Sequence, residues 1–266
     1  MTTQTEKAPQ PRVCLTIGSS DSSGGAGIQG DIKAFAAVSC YAATVLVGVT
    51  AQNTGGVAAR HTVPVAFVEQ QLRTVLEDIH VDAVKVGMTW SPEHITVVAD
   101  AIAVLRVPIV VDPVMVTAAG SSLSGLEIVH AVVDRLFPLA DLITPNLTEA
   151  RRLTGDADGH PKVLARRLVD LGARAAVVTM GGSEDGDWFA DRAGQMRIRR
   201  ACHQTGAEHG AGCAHSALIT GLLAAGARLL DAVREAGEIT SEGVRNGLIS
   251  VGREVHPVDV LGLDGR

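Results

Sequence analysis

The sequence predicts an α/β protein built on a mainly parallel sheet with helices on both faces. Three observations carry that prediction. Short β-branched runs alternate with helical apolar patterns along most of the 266 residues. Most of those runs are continuously apolar, as strands buried on both faces are, rather than alternating. A glycine-rich turn, Gly18-Ser19-Ser20-Asp21-Ser22-Ser23-Gly24-Gly25-Ala26-Gly27, joins the first run to the first helix, and repeated units of this kind imply right-handed βαβ crossovers.

The first strand is expected at 13–17, from Val13-Cys14-Leu15-Thr16-Ile17, and the first helix at 28–38, where Ile28, Ile32 and Phe35 recur at helical spacing. Further strands are expected at 43–49, 83–86, 109–112, 141–144 and 175–179. Helical patterns fall between them at 65–79, 92–105, 125–136, 147–153 and 161–171. After Met180 the alternation stops. Asp187-Trp188-Phe189-Ala190 and Gln195-Met196-Arg197-Ile198 read as a hairpin turning at 191–194, and a long helical region follows from Cys213.

A chain with 46% hydrophobic residues can bury a full core, and with 3% aromatics that core is aliphatic. No internal repeat, low-complexity tract or composition break marks a linker. One domain is expected over 13–266, preceded by a polar, Pro-containing and disordered tail at 1–12 without the apolar segment of a signal peptide. A net charge of -6 argues against nucleic acid as a partner, and the one dense basic run, Arg197-Ile198-Arg199-Arg200, reads as a solvated strand face. Apolar stretches such as 41–50 are too short to span a bilayer, so a soluble, cytoplasmic protein is expected. The four cysteines show no CxxC pairing and read as thiols; the nine histidines show no zinc spacing.

In doubly wound sheets ligands bind beyond the carboxyl ends of the strands. The residues there are 18–27, Ala51-Gln52-Asn53-Thr54-Gly55-Gly56, Gly87-Met88, Asp112-Pro113-Val114-Met115, Pro145-Asn146-Leu147-Thr148-Glu149 and Gly181-Gly182. Asp21 and Asp31 flank the first turn. Glu208-His209-Gly210-Ala211-Gly212-Cys213 precedes another helix, whose first N–H groups, from Ala211, Gly212 and Cys213, form a potential anion hole. The helix dipole there favours a Cys213 thiolate, unless the segment is only a glycine-rich helix entry with a structural thiol. Asn146 and Glu149 have capping-box spacing, and Glu149 is equally placed to hold magnesium through water. Asp112, directly after an apolar strand, must be paired or functional. Gln52 and Asn53 are turn residues or amides offered to a heterocycle. Lys85, between Val84 and Val86, must snorkel or find a partner. Spacing alone reaches as far as a phosphate-handling α/β enzyme.

The order of these elements resembles the hydroxymethylpyrimidine/phosphomethylpyrimidine kinases of thiamin biosynthesis, in the ribokinase-like superfamily. The matching motifs are Asp21-Ser22-Ser23-Gly24-Gly25-Ala26-Gly27-Ile28-Gln29 with Asp31, Ala51-Gln52-Asn53-Thr54, Lys85-Val86-Gly87-Met88, Asp112-Pro113-Val114-Met115-Val116, Thr144-Pro145-Asn146-Leu147 with Glu149, and Gly210-Ala211-Gly212-Cys213. The resemblance implies a three-layer αβα fold, Mg2+ and ATP, a pyrimidine acceptor and a homodimer. By position it gives Gln52 a hydrogen bond to the pyrimidine, with Val49, Ala26 and Met88 as walls and Gly18 and Asp21 beside them. It makes Gly210, Ala211, Gly212 and Cys213 the cradle of the transferring phosphoryl group, with Cys213, aided by Asp31, managing the acceptor proton. Asp112, Asn146, Met180, Gly182 and Glu208 fall on the nucleotide side, and Asp112 and Glu149 toward Mg2+.

The chain also departs from that pattern. Met180-Gly181-Gly182 stands where the family has Lys-Gly-Gly, which removes a phosphate-facing cation. Glu208-His209-Gly210-Ala211-Gly212-Cys213 replaces Thr-His-Gly-Thr-Gly-Cys, and Ala118-Ala119-Gly120-Ser121 falls where Ser-Gly-Asp is usual. A charge-assisted hydrogen bond is worth about 1.5–3 kcal/mol, so one loss lowers nucleotide affinity by roughly one to two orders of magnitude. The alternatives to a pyrimidine kinase are therefore a pyridoxal or pyridoxine kinase of the same family and a non-catalytic pyrimidine binder.

Overall fold

The computed structural model describes residues 10–115, 125–199 and 206–265. Its centre is a nine-stranded sheet in the order β3-β2-β1-β4-β5-β6-β7-β8-β9. These strands are β1 (Arg12–Asp21), β2 (Cys40–Asn53), β3 (Gly56–Thr62), β4 (Ala83–Val86), β5 (Ile109–Val111), β6 (Leu142–Ile143), β7 (Ala175–Val178), β8 (Asp187–Asp191) and β9 (Gln195–Ile198). The six strands from β2 to β7 in this order pair in parallel. Antiparallel strands extend the sheet at both ends: β3 on β2, and the expected hairpin β8–β9 on β7.

The period of two along each strand sorts side chains between two cores. Leu15, Val84, Val111, Ile143 and Val178 face one side, where they meet Val68 and Leu72 of α2 (Val65–Asp78) and Ile95 and Val98 of α3 (Pro92–Ile102). α4 (Leu126–Ala131), α5 (Leu147–Thr154) and α6 (Pro161–Asp170) complete that layer. Cys14, Ala83, Val110, Leu142 and Val177 face the other side, against Phe35 of α1 (Gly27–Ala37), Leu218 of α7 (Ala211–Ala224) and Val233 of α8 (Leu229–Arg245). The result is a three-layer αβα arrangement, the one the resemblance implies. α7, lying between the sheet, α1 and α8, is buried around most of its circumference, as its run of Ala, Leu and Gly allows.

Several expectations change in detail. Arg12 starts β1 and pairs with Asp82 at 2.9 Å, so it lies inside the fold rather than in the tail; residues 1–9 lie outside the described residues. β3 was not expected: its side chains are nearly all exposed, so an edge strand there has no apolar face to advertise it. The helix expected at 125–136 is α4 followed by a π-helical turn at Val132–Leu136. The C-terminal helical region is two helices, interrupted by a turn with Gly226 at φ +92°. Residues 118–121 and Cys202 lie outside the described residues. No helix among the described residues is long and apolar enough to cross a membrane.

Candidate functional site

A cavity of about 470 Å³ lies at the carboxyl edge of the parallel strands, the position that topology favours. Gly18, Asp21, Ala26 and Asp31 bring the end of β1 and the start of α1 to it. Gln52 comes from the end of β2, and Lys85 and Met88 from the end of β4. Asp112, Asn146 and Glu149 form the far wall, and Glu208, His209, Gly210, Gly212 and Cys213 close it at the start of α7. Asn53, whose Oδ1 accepts from the Gly55 N–H at 2.8 Å, does not line it, and neither do four other sequence-selected residues. Val49 is on β2 opposite His61 of β3, Ala211 packs into the α1–α7–α8 core, Met180 packs against the other core, and Gly182 lies in the turn after β7.

Lys85 is the buried hub of the floor. The strand period turns it away from the core of Val84 and Val86 and toward α1 and α7. Its Nζ donates to Asp31 Oδ1 at 2.5 Å and lies 3.9 Å from Asp112 Oδ2. Thr16 donates to the other oxygen of Asp31 at 2.6 Å, and Ser216 of α7 donates to Asp112 at 2.9 Å. Burial pushes the Asp31 and Asp112 carboxyls up while Lys85 pulls both down. Burial works against the ammonium too, but Asp31, Cys213 and Asp112 outweigh it and hold Lys85 above its usual value. The awkward lysine of the apolar strand is thus a shared counter-ion, and Asp31 supports it rather than standing free as a base.

Of the two readings of Cys213, the electrostatics of the site favour the protonated thiol. Although part of the residue remains reachable, burial pushes its thiol up to about 12. Lys85 and the Gly27 N–H pull the other way, and the Asp112 and Asp31 charges add to the rise. The thiol is therefore protonated at neutral pH, and the start of α7 does not make it a thiolate.

Glu149 satisfies the structural reading of its motif. The Glu149 N–H donates to Asn146 Oδ1, the Asn146 N–H donates back to Oε2, each at 3.0 Å, and the Met115 N–H donates to Oε1 at 3.2 Å. It still lines the cavity, and burial with the Asp112 charge raises it to about 8, against the pull of those N–H groups. Glu208, expected to set a carboxylate near phosphate, is on the wall but has Oε2 bound to the Gly206 N–H at 2.7 Å. Among the described residues, Lys85 is the only Lys or Arg on a wall that also carries Asp21, Asp31, Asp112, Glu149 and Glu208.

Asp21 orders the first turn. It accepts from the Ser23 N–H (2.8 Å), the Ser23 hydroxyl (2.7 Å), the Ala26 N–H (2.9 Å) and His209 Nε2 (2.9 Å). Burial opposes its charge, yet the bonds from His209, Ser23 and Ala26 bring the carboxyl down to about 2. A folded-state value below the unfolded one stabilises above pH ~4 and is lost as pH falls through ~2, about 2 kcal/mol in all. Acid unfolding of the parent is expected to be steeper across that window than that of Asp21→Asn, as followed by circular dichroism.

His209, Thr50 and Val255 line the site without having been chosen from the sequence, and Lys85 was singled out there without being placed in it. Only Lys85 carried a local signal, a charge within an apolar strand. Val255 belongs to a C-terminal segment that crosses the cavity rim; its N–H donates to Thr54 O at 3.3 Å.

The phosphomethylpyrimidine kinase family matches this chain over residues 21–259. The hydroxymethylpyrimidine/phosphomethylpyrimidine kinase of Rhizobium meliloti is 41% identical over 231 residues, 84% of this chain and 87% of the relative. The thiamine biosynthesis bifunctional protein ThiED of Geobacter sulfurreducens is 40% identical over 247 residues, and the match spans 90% of this chain but only 50% of that protein. Among solved structures, the pyridoxal kinase of Staphylococcus aureus in complex with ADP superposes with a TM-score of 0.87 at 29% identity, covering 95% of this chain and 94% of that one.

Proposed function

The chain belongs to the phosphomethylpyrimidine kinase family, and we propose from that premise that its cavity transfers a phosphoryl group from ATP to hydroxymethylpyrimidine or to its monophosphate. The observation that carries this reading is that Gln52 and the Gly210–Gly212–Cys213 turn share one cavity. Gln52 is held for a heterocycle: Ser22 bonds its backbone on both sides, at 2.7 and 2.8 Å, and Thr50 Oγ1 sits 3.1 Å from Oε1. Ala26 and Met88 flank the ring. At the other end Gly212 lies in the first turn of α7, where N–H groups are free of intrahelical partners and attract anions.

An acidic wall with one internally paired lysine does not attract polyphosphate by itself. The nucleotide must bring its own cation, and the donor set suits Mg2+, which takes oxygen ligands and retains water. Asp112 and Glu149 would hold it. Among the described residues no group of three acidic, His or Cys side chains forms a cage, so the remaining ligands would have to come from phosphate and water. Bound there, Mg2+ supplies charge neutralisation at the transferring group. Cys213, protonated, orients the acceptor oxygen instead of withdrawing its proton in advance. The monophosphate, already an anionic nucleophile, needs no base at all.

The deciding experiment is ADP release with and without Mg2+, offering hydroxymethylpyrimidine, its monophosphate and pyridoxal separately. Mg2+-dependent turnover with either pyrimidine is expected; no ADP with either overturns the reading. The structural likeness to a pyridoxal kinase favours one alternative acceptor, and turnover on pyridoxal that exceeds both pyrimidines would select it. A second test isolates the phosphate end. A Cβ on Gly212 meets no protein atom within 4 Å, so Gly212→Val is expected to fold normally. Blocking the anion hole costs about 10²–10³-fold in kcat, as removal of an oxyanion donor does.

A further inference from the structure

Asp21 and His209 have no part in the transfer described above. We infer that they form a positioning pair which fixes the distance between the heterocycle end and the phosphate end of the cavity, an inference that rests on the kinase reading. The two residues lie 188 positions apart in sequence, each 3% exposed, joined by the bond from His209 Nε2 to Asp21 Oδ2 at 2.9 Å. A carboxylate only accepts, so Nε2 carries the proton. The other hydrogen bonds to the Asp21 side chain come from its own turn, from Ser23 and Ala26. One buried carboxylate therefore orders the turn that walls the heterocycle and ties it to the loop that starts α7.

Shape enforces the same link. A Cβ on Gly25 would sit 2.0 Å from His209 Cδ2, and one on Gly210, at φ +83°, would sit 1.8 Å from the Gly25 carbonyl oxygen. The two backbones are in contact without slack. His209 is also held from behind: its N–H donates to His256 O at 3.2 Å and its carbonyl accepts from Val258 N–H at 3.1 Å. Ala26 and Gly212 both line the cavity, and each is within five residues of this junction. A shift of His209 moves the anion-binding turn relative to the acceptor wall. Displacements of about 1 Å in reacting groups cost on the order of 10²-fold in rate.

The test uses the full chain carrying His209→Ala, with His209→Gln as the conservative variant that retains an N–H donor. Loss of alignment without loss of contact lowers kcat while leaving ground-state binding intact. His209→Ala is expected to lower kcat by about 10²-fold, with calorimetric Kd values for hydroxymethylpyrimidine and for magnesium AMP-PCP changed less than about threefold, and Gln is expected to restore most of kcat. Backbone amide exchange is expected to accelerate together at 23–26 and 210–213. An unchanged kcat, a kcat loss matched by weakened binding of either ligand, or no rescue by Gln overturns the proposal. If His209→Ala does not fold, Asp21→Asn takes its place with the same expected division between kcat and Kd. A parent that releases no ADP sinks the kinase reading instead; amide exchange then decides the pair, since loosening of one segment alone overturns it and joint loosening supports it.

Discussion

Replacing Lys85 with Met is expected to destabilise the fold by about 3–5 kcal/mol, the cost of leaving a buried charge without its partner. Asp31 and Asp112 share this one ammonium, Lys85 is 1% exposed, and no other lysine or arginine among the described residues reaches the cavity. Met fills a similar volume and removes only the charge. Urea unfolding should show a lower midpoint with an unchanged slope, the mark of lost stability rather than a changed denatured state. Adding Asp31→Asn and Asp112→Asn to Lys85→Met should return much of the loss, because no unpaired charge is then left inside. A destabilisation below about 1 kcal/mol, the scale of a surface ion pair, would show that this cluster is solvated.

Iodoacetamide is expected to alkylate Cys213 about 10³-fold more slowly at pH 7.5 than it alkylates a free cysteine, because only the thiolate reacts. The thiol is raised to about 12 and an unperturbed one titrates near ~8.5. Peptide mapping keeps the measurement to this site and apart from the buried Cys14 and Cys40. Alkylation as fast as that of free cysteine would restore the thiolate and with it a pre-formed base. The kcat profile should likewise show no Cys213-dependent rise between about pH 7 and 9.

Most of the sheet was legible in the sequence because its central strands are continuously apolar. The run Ala83-Val84-Lys85-Val86 gave β4 with both boundaries correct, and Asp187 to Ile198 gave the hairpin. β3 was hidden because its exposed residues bury no face from which a period could be read. The break between α7 and α8 was missed because apolar spacing resumes directly after the turn. Site residues followed the same division. Gln52, Asp112, Glu149 and Cys213 stand where strands end or a helix begins, and topology gathers such positions. His209 could not be singled out, since its partner Asp21 is 188 residues away and neither residue lies on a periodic face. The two readings of Cys213 could not be separated for a related reason: the helix start is local, but the burial and the Asp112 and Asp31 carboxylates that oppose a thiolate come from the end of β5 and from α1.

The distance along the chain between the two halves of the cavity also bears on how the protein is made. Asp21 must meet His209, and His209 is seated by His256 and Val258. β1 and its parallel neighbour β2 are made together, whereas the loop that completes the turn after β1 is synthesised nearly two hundred residues later. Contacts of such sequence separation form late, since the intervening chain must be ordered first. Until residues 209–258 have been made, Asp21 therefore has the Ser23 and Ala26 groups of its own turn to hold it but not the His209 bond.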